Sequence, residues 1–387
     1  MLNSLFGTKS YPLNKIYLSK ERLLANYQYL AGLSPDIQIA PVLKSNAYGH
    51  GIEIIGKLID EQKPPFICVD SLYEAYQLQK AGVKSDILIM GYVDPRSLRG
   101  KKLPFSYAVF DREQIKQILL HQPHAKLHLF IDTGMSREGV KIADLRIFLR
   151  YLKIDKVEFE GLMSHGAMPR KKDSVLTIKQ INNFKAAKQL LKEAGYQPKW
   201  FHFGGTYSLL NQLTKECNVI RCGKGIYGFG DQNLQPVLSM TSQIIQYKEL
   251  KKGESVGYDA TFMAKKNLTL GVLPIGYNDG IDRRLSNKGV IRIRPLNRGL
   301  DYDLEQKGDL YSDCPVVGRV SMNLTTIDIT EAIKKFGDKM PYIGAEIEII
   351  SNLPDQPNSI QNISDKCRTI PEEILVHLHP STKREVY

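Results

Sequence analysis

Lys44 stands where a lysine can do chemistry. It ends the apolar run Ile37-Gln38-Ile39-Ala40-Pro41-Val42-Leu43 and opens the turn Lys44-Ser45-Asn46-Ala47-Tyr48-Gly49-His50-Gly51. The run reads as a buried strand, and the glycines with Ser and Asn read as the loop after it. Burying an ammonium there is costly, and a desolvated lysine has a lowered pKa and acts as an amine nucleophile or base. The competing reading is a lysine whose head snorkels out to a surface carboxylate. The adjacent tyrosine and paired glycines favour the chemical reading. Other polar residues follow other candidate strands: Asp132-Thr133-Gly134-Met135-Ser136-Arg137, His165, Gly204-Gly205-Thr206 and Arg221-Cys222-Gly223. Each alone is better read as a structural turn, but their joint placement after strands calls for a site. The glycine pairs of Gly204-Gly205-Thr206 and Gly223-Lys224-Gly225 allow close approach of backbone N–H groups to a phosphate.

The elements that must position these residues are short β-branched runs separated by amphipathic stretches. Candidate strands are Gln38–Leu43, Pro65–Val69, Asp86–Met90, Ser106–Phe110, Lys126–Ile131, Glu158–Ser164, Lys199–Phe203 and Asn218–Arg221. Helices are expected over Lys20–Leu30, Leu72–Lys80, Arg112–His121 and Ile178–Glu193, the last stopped by Ala194-Gly195. Eight alternating units over about 200 residues fit a (β/α)8 TIM barrel, with an open doubly wound sheet as the alternative. In a barrel the working residues lie at the C-terminal strand ends, and phosphate sites follow strands seven and eight. After about Val237 the texture changes to Ser239–Tyr247, Leu268–Pro274, Gly289–Ile293, Pro315–Val320, Thr325–Ile329 and Glu346–Ile350 without long intervening helices. The expected division is a barrel over 1–240 and a mainly β domain over 241–387, with Asn14–Leu18 as an extra strand that pairs with the second domain.

Val42-Leu43-Lys44-Ser45-Asn46-Ala47-Tyr48-Gly49-His50-Gly51 resembles the pyridoxal-phosphate attachment motif of the alanine racemase family. The resemblance runs from about Leu13 to the C-terminus and implies a role for each matching residue. Lys44 would form a Schiff base with the cofactor aldehyde, and Tyr48 would touch its phosphate. Asp132–Val140 is similar to the segment whose arginine contacts the phenolic oxygen, implying Arg137. His165 matches a histidine near the cofactor ring, His202 a supporting histidine, and Thr206 a phosphate-binding hydroxyl. Arg221-Cys222-Gly223-Lys224-Gly225-Ile226-Tyr227-Gly228 implies Arg221 at the pyridine nitrogen, with Gly223 and Lys224 offering N–H groups to phosphate. A guanidinium keeps its proton, so it bonds the ring nitrogen without protonating it and should restrain transamination. Val256-Gly257-Tyr258-Asp259-Ala260-Thr261-Phe262 resembles the catalytic-tyrosine motif, implying Tyr258 from a partner subunit. Tyr277, and the backbone around Met322 in Val317-Gly318-Arg319-Val320-Ser321-Met322-Asn323, would meet the substrate together with Arg137.

The resemblance implies an amino-acid racemase, with alanine the expected substrate, working as a homodimer with composite sites and supplying D-alanine for the cell wall. Lys44 would serve the D-enantiomer and Tyr258 the L-enantiomer, although a tyrosine is a poor base unless nearby positive charge assists it. Three positions depart from the family. Phe130 replaces a lysine that is carbamylated in many members, Asn323 an aspartate, and Glu372 a phosphate-contacting tyrosine. These leave room for a racemase of broader or different specificity, for serine or basic amino acids, or for a non-catalytic pyridoxal-phosphate-binding protein.

Composition narrows the classes. A net charge of +12 over 387 residues raises the question of an anionic partner. The basic residues are dispersed, however, with Lys171-Lys172 and Lys251-Lys252 only pairs, so no nucleic acid is expected. No run approaches the ~20 apolar residues that span a bilayer, and the first residues make a poor signal peptide. Five scattered cysteines, Cys68, Cys217, Cys222, Cys314 and Cys367, have no CxxC spacing. Neither a disulfide framework nor a metal site is expected, and a reducing cytoplasm fits.

Overall fold

A computed structural model describes residues 11–295 and 311–387. These form two compact units. Glu21–Leu234 makes one, and the residues up to Lys20 with Gln235–Tyr387 make the other.

The chain enters through strand β1 (Lys15–Leu18). The unit Glu21–Leu234 then carries β2 (Gln38–Pro41), β3 (Ile67–Val69), β4 (Ile87–Ile89), β5 (Phe105–Val109), β6 (Lys126–Asp132), the two-residue β7 (Val140–Lys141) beside β6, β8 (Gly161–Ser164), β9 (Trp200–Phe203) and β10 (Val219–Cys222). Pairing is parallel from β3 through β4, β5, β6 and β8 to β9, and from β10 to β2. Two junctions close the ring. The Leu43 N–H donates to the Cys68 carbonyl at 2.8 Å, and the Asn218 N–H to the Phe201 carbonyl at 3.1 Å. The eight long strands therefore make a (β/α)8 barrel, and the open-sheet alternative falls.

Side-chain alternation decides what fills it. Along β6, Leu127, Leu129 and Ile131 are buried on one face, while Phe130 packs on the other with Ala108 and Met163. A second layer is built from Ala40, Val42, Cys68, Leu88, Trp200 and Val219. The helices start on side-chain caps. Ser71 and Glu74 form a capping box for Leu72–Ala81, Asp111 caps Arg112–His121, and Ser174 caps Val175–Glu193. Each such cap stabilises its helix by about 1 kcal/mol. Gly195, at φ +81°, lies just past the end of the last of these.

The other unit is mainly β. Its strands are β11 (Leu238–Gln243), β12 (Gln246–Leu250), β13 (Ser255–Val256), β14 (Phe262–Met263), β15 (Leu268–Leu273), β16 (Val290–Ile293), β17 (Ser312–Pro315), β18 (Thr325–Asp328), β19 (Glu346–Ile350) and β20 (Lys383–Val386). One sheet has the order β17-β16-β19-β11-β1-β20, and another β12-β15-β18. Two expected strands differ. Ser239–Tyr247 breaks at Ile244-Ile245 into β11 and β12, which belong to different sheets. Pro315–Val320 is not a strand. β17 ends at Pro315, and Gly318, at φ +76°, turns the chain where a Cβ would come within 2.7 Å of the Val256 carbonyl oxygen. Short helices at Thr330–Phe336, Ile360–Cys367 and Pro371–Val376 were not read in the sequence. None of the described helices is long and apolar enough to cross a membrane.

Candidate active site

Lys44 begins a turn of unusual backbone. Ser45, Asn46, Ala47 and Tyr48 all have φ between 51° and 55°, a left-handed turn made without glycine. Such residues cost about 1–2 kcal/mol each, so the surroundings must hold them. The Ala47 N–H donates to the Leu43 carbonyl, the Gly49 N–H to Ser45 and the Gly51 N–H to Asn46. The Asn46 carboxamide oxygen accepts the Ile52 N–H, and the Glu74 carboxylate accepts the Ser45 N–H at 2.6 Å. Glu74 also takes the Asp70 and Ser71 N–H groups, so it ties the lysine turn to the loop after β3. Lys44 itself is not desolvated. Its side chain is 40% exposed, with Nζ 3.7 Å from Asp70 Oδ1. The strand end opens to the C-terminal face of the barrel, where the ammonium lies near that carboxylate.

The turn delivers Tyr48 over the loop after β10. A Cβ on Gly223 would come within 2.5 Å of the Tyr48 hydroxyl, so any larger residue there would displace the Tyr48 ring. The Tyr48 ring packs on Tyr227, whose hydroxyl donates to the Val42 carbonyl. The loop after β9 joins the same cluster, where the Thr206 hydroxyl accepts the Gly225 N–H at 3.2 Å. Gly205 lies with a would-be Cβ 3.8 Å from the His165 ring, and Lys224 sits over the Tyr207 ring.

Arg221 is buried at the end of β10. Its Nη1 donates to His202 Nδ1 (2.6 Å) and to the His202 carbonyl (3.1 Å). Its Nη2 donates to the Ser164 carbonyl (2.6 Å) and lies 3.4 Å from His165 Nδ1. Four of the five guanidinium hydrogens are thus engaged, and among the described residues the Nε–H has no partner. Burial lowers the Arg221 pKa, starting from far above neutrality. Burial first, then the Arg221, Arg137 and Lys44 charges, pushes His165 down to about 3. His202 is held well below its ordinary value by burial and then Arg221. Burial also lowers His128, against the pull of Glu160.

These rings carry a pH prediction. Their folded pKa values lie below the unfolded value of about 6.5, so the unfolded chain binds protons that the folded chain refuses. Stability is complete above about pH 6.5 and falls as the pH drops towards the folded values. Each ring that stays neutral removes about 1.4 kcal/mol per pH unit. Urea unfolding of the barrel, followed at pH 7.5, 6.5 and 5.5, should shift to lower midpoints. A constant midpoint would show that the rings titrate normally.

Arg137 and Phe130 line one small cavity together with Asp132, Ser164 and His165. Arg137 donates Nε and Nη2 to Glu138 Oε1 (3.2 and 2.7 Å), and Phe130 is enclosed in its apolar cluster. Asp132 shapes that loop by accepting the N–H groups of Gly134, Met135 and Ser136.

The remaining predicted residues lie in the other unit. Tyr258 is 66% exposed, on a turn where Gly257, Asp259 and Ala260 have positive φ and Asp259 pairs with Arg319 Nε at 2.8 Å. The Tyr277 N–H donates to the Ser321 carbonyl and the Asn278 N–H to the Met322 carbonyl. Tyr277 and Met322 side chains are both exposed. The 318–323 loop therefore braces both tyrosine turns. Glu372 falls in the first turn of Pro371–Val376. Sequence reasoning passed over Glu74, His128 and Glu160. The visible signal for His128 was a lone histidine within the apolar strand Lys126–Ile131.

Known proteins match this arrangement along nearly the whole chain. Residues 18–231 match the family model of the alanine racemase N-terminal domain, and residues 237–386 that of the C-terminal domain. The chain is 30% identical over 374 residues to an alanine racemase of Lactobacillus acidophilus, covering 92% of each protein. It is 30% identical over 325 residues to that of Sorangium cellulosum, covering 80% of this chain and 82% of the relative. A solved alanine racemase from Bacillus anthracis, with bound L-Ala-P, superposes with a TM-score of 0.83 at 25% identity, over 98% of this chain and 96% of that one. The chain belongs to the alanine racemase family.

Proposed function

We propose that this protein is a pyridoxal-phosphate-dependent racemase that interconverts L- and D-alanine. The observation that carries the reading is Arg221, a buried cation fixed through both Nη atoms with one N–H left to offer. Membership of the alanine racemase family supports the reaction. The donor set fits the cofactor. Lys44 supplies the amine for its aldehyde. Tyr48, Thr206 and the backbone of Gly223 and Lys224 would hold its phosphate, in a cradle that a Cβ on Gly223 would fill. His165 would lie by the ring, Arg137 would meet the phenolic oxygen, and Arg221, steadied by His202, would meet the pyridine nitrogen. When bound, pyridoxal phosphate supplies the electron sink that acidifies the substrate Cα–H.

The chain's own residues do the rest. Lys44 would hold the cofactor and would move the Cα proton on one face, serving the D-enantiomer. Tyr258 moves it on the opposite face, serving the L-enantiomer. Arg221 would offer the cofactor a hydrogen bond without surrendering a proton, which would restrain transamination. Arg137, Tyr277 and the backbone at Met322 orient the substrate. Tyr258 comes from a partner copy in a homodimer, and its exposed side chain on a braced turn supports that role. The cytoplasm suits the five free cysteines.

The test is racemisation by the cofactor-loaded protein over a panel of L-amino acids, read by chiral chromatography. D-Alanine should form fastest. Faster serine or lysine turnover would replace alanine as the substrate, and bound cofactor with no D-product would leave a binding protein only.

Phe130 sets a second expectation. It is 5% exposed among Ala108 and Met163 and carries no amine to carbamylate. Activity should be unchanged by added bicarbonate. A clear rise, or a carbamate found beside Arg137, would contradict this.

A further inference from the structure

A single hydrogen-bonded chain runs through the barrel interior from Arg221 to the opposite end of the strands. Arg221 Nη1 meets His202 Nδ1 at 2.6 Å, His202 Nε2 meets His128 Nδ1 at 2.9 Å, and His128 Nε2 meets Glu160 Oε2 at 3.3 Å. Its direction is fixed by chemistry. A guanidinium has donors and no acceptor, so His202 Nδ1 must be the bare nitrogen and Nε2 must carry the proton. His202 then donates to His128 Nδ1, which leaves the His128 proton on Nε2, facing the carboxylate. Each link admits one arrangement, and all protons point from the cation towards the anion.

The barrel makes room for this chain at some cost. His128 is fully buried within β6, and a Cβ on Gly161 would come within 2.3 Å of its Nδ1. Gly161 is thus the position that admits the ring. Phe66 packs edge-on against His128 and tilted against His202. Glu160 precedes β8 at the N-terminal end of the barrel, its side chain 20% exposed, and it also accepts from Ser106 Oγ at 3.3 Å and pairs with Lys126 at 3.5 Å. Lys126 in turn pairs with Asp86. At the other end the charged neighbours are Arg137 and Lys44, with His165 beside Arg221. Burial would raise the Glu160 pKa, but the hydrogen bond from His128 and the nearby positive charge outweigh it and hold the carboxyl below its ordinary value.

We propose that Glu160 and His128 are positioning residues for Arg221, acting through His202 to lock the guanidinium so that its Nε–H alone faces the cofactor site. An anionic acceptor at the far end keeps both rings in the Nε2–H form. Without it, His128 could turn its proton inward and donate to His202. His202 would then lose its bare Nδ1, and Arg221 would lose its anchor. The role in racemisation rests on the reading that Arg221 faces the cofactor ring, whereas the direction of the chain does not.

Ring 15N spectra of protein labelled at its eight histidines test the chain without reference to turnover. In both cofactor-free and loaded protein, His128 and His202 should show bare Nδ1 and protonated Nε2, unchanged from pH 8 to 5.5. Glu160→Ala should shift the ring signals of both residues and lower kcat about tenfold with little change in KM. Glu160→Gln, which still offers an oxygen to His128, should lose clearly less. A wild-type ring protonated on Nδ1, or one that titrates in this range, would overturn the proposal. So would a folded Glu160→Ala variant with wild-type ring signals and kcat. If Glu160→Ala does not fold, the wild-type spectra and Glu160→Gln still decide. Rings as expected in a loaded protein that forms no D-alanine would support the chain and remove the racemase reading instead.

Discussion

Lys44→Ala should lose racemisation in both directions by about 10³-fold or more, together with the lysine-linked absorbance of the bound cofactor. The size of the effect follows from two roles meeting in one amine, covalent attachment and proton transfer on one face. The change should leave the fold intact. The left-handed turn is held by backbone bonds and by Glu74, and the Lys44 side chain contributes only a 3.7 Å pairing with the exposed Asp70. Exposed pairs of this kind are worth about 0–1 kcal/mol. Absorbance spectra and borohydride reduction followed by mass spectrometry check the claim. A borohydride-reducible adduct that persists in the variant would place the cofactor on another lysine.

Tyr258→Phe should cut abstraction from L-alanine by about 10²–10⁴-fold while cofactor attachment persists, because only a hydroxyl is removed. A two-base route needs this group on the face opposite Lys44, and Tyr277 is the rival. The composite site gives a sharper test. Mixed dimers of Lys44→Ala and Tyr258→Phe subunits would contain one site with both defects and one with neither. Activity should therefore return after subunit exchange, to about a quarter of wild type if subunits mix at random. No recovery despite demonstrated exchange would remove the composite arrangement, or remove Tyr258 as the base.

Much of the site was written locally. The buried run before Lys44, the glycines around it, and the Arg221-Cys222-Gly223 and Gly257-Tyr258 segments each specify a strand end or tight turn through nearest neighbours. The eight-strand rhythm and the helix caps were legible for the same reason, since alternation and capping act within a few residues. The fold class followed from counting them.

Other features depend on partners distant in sequence. Ser45–Tyr48 adopt a left-handed turn that their own preferences oppose, and Glu74 across the adjoining loop holds it. The orientation of Arg221 depends on β6, β8 and β9 bringing His128, Glu160 and His202 into line, and no spacing in the chain encodes that line. Lys44 was expected to be desolvated, but closure of the barrel left its strand end open. The sequence by itself determined which residues end strands and which turns require glycine, because these are short-range steric and periodic constraints. Only the tertiary structure decided where each side chain points and which protons are shared, because burial and hydrogen bonding are settled by groups that meet only when the barrel closes.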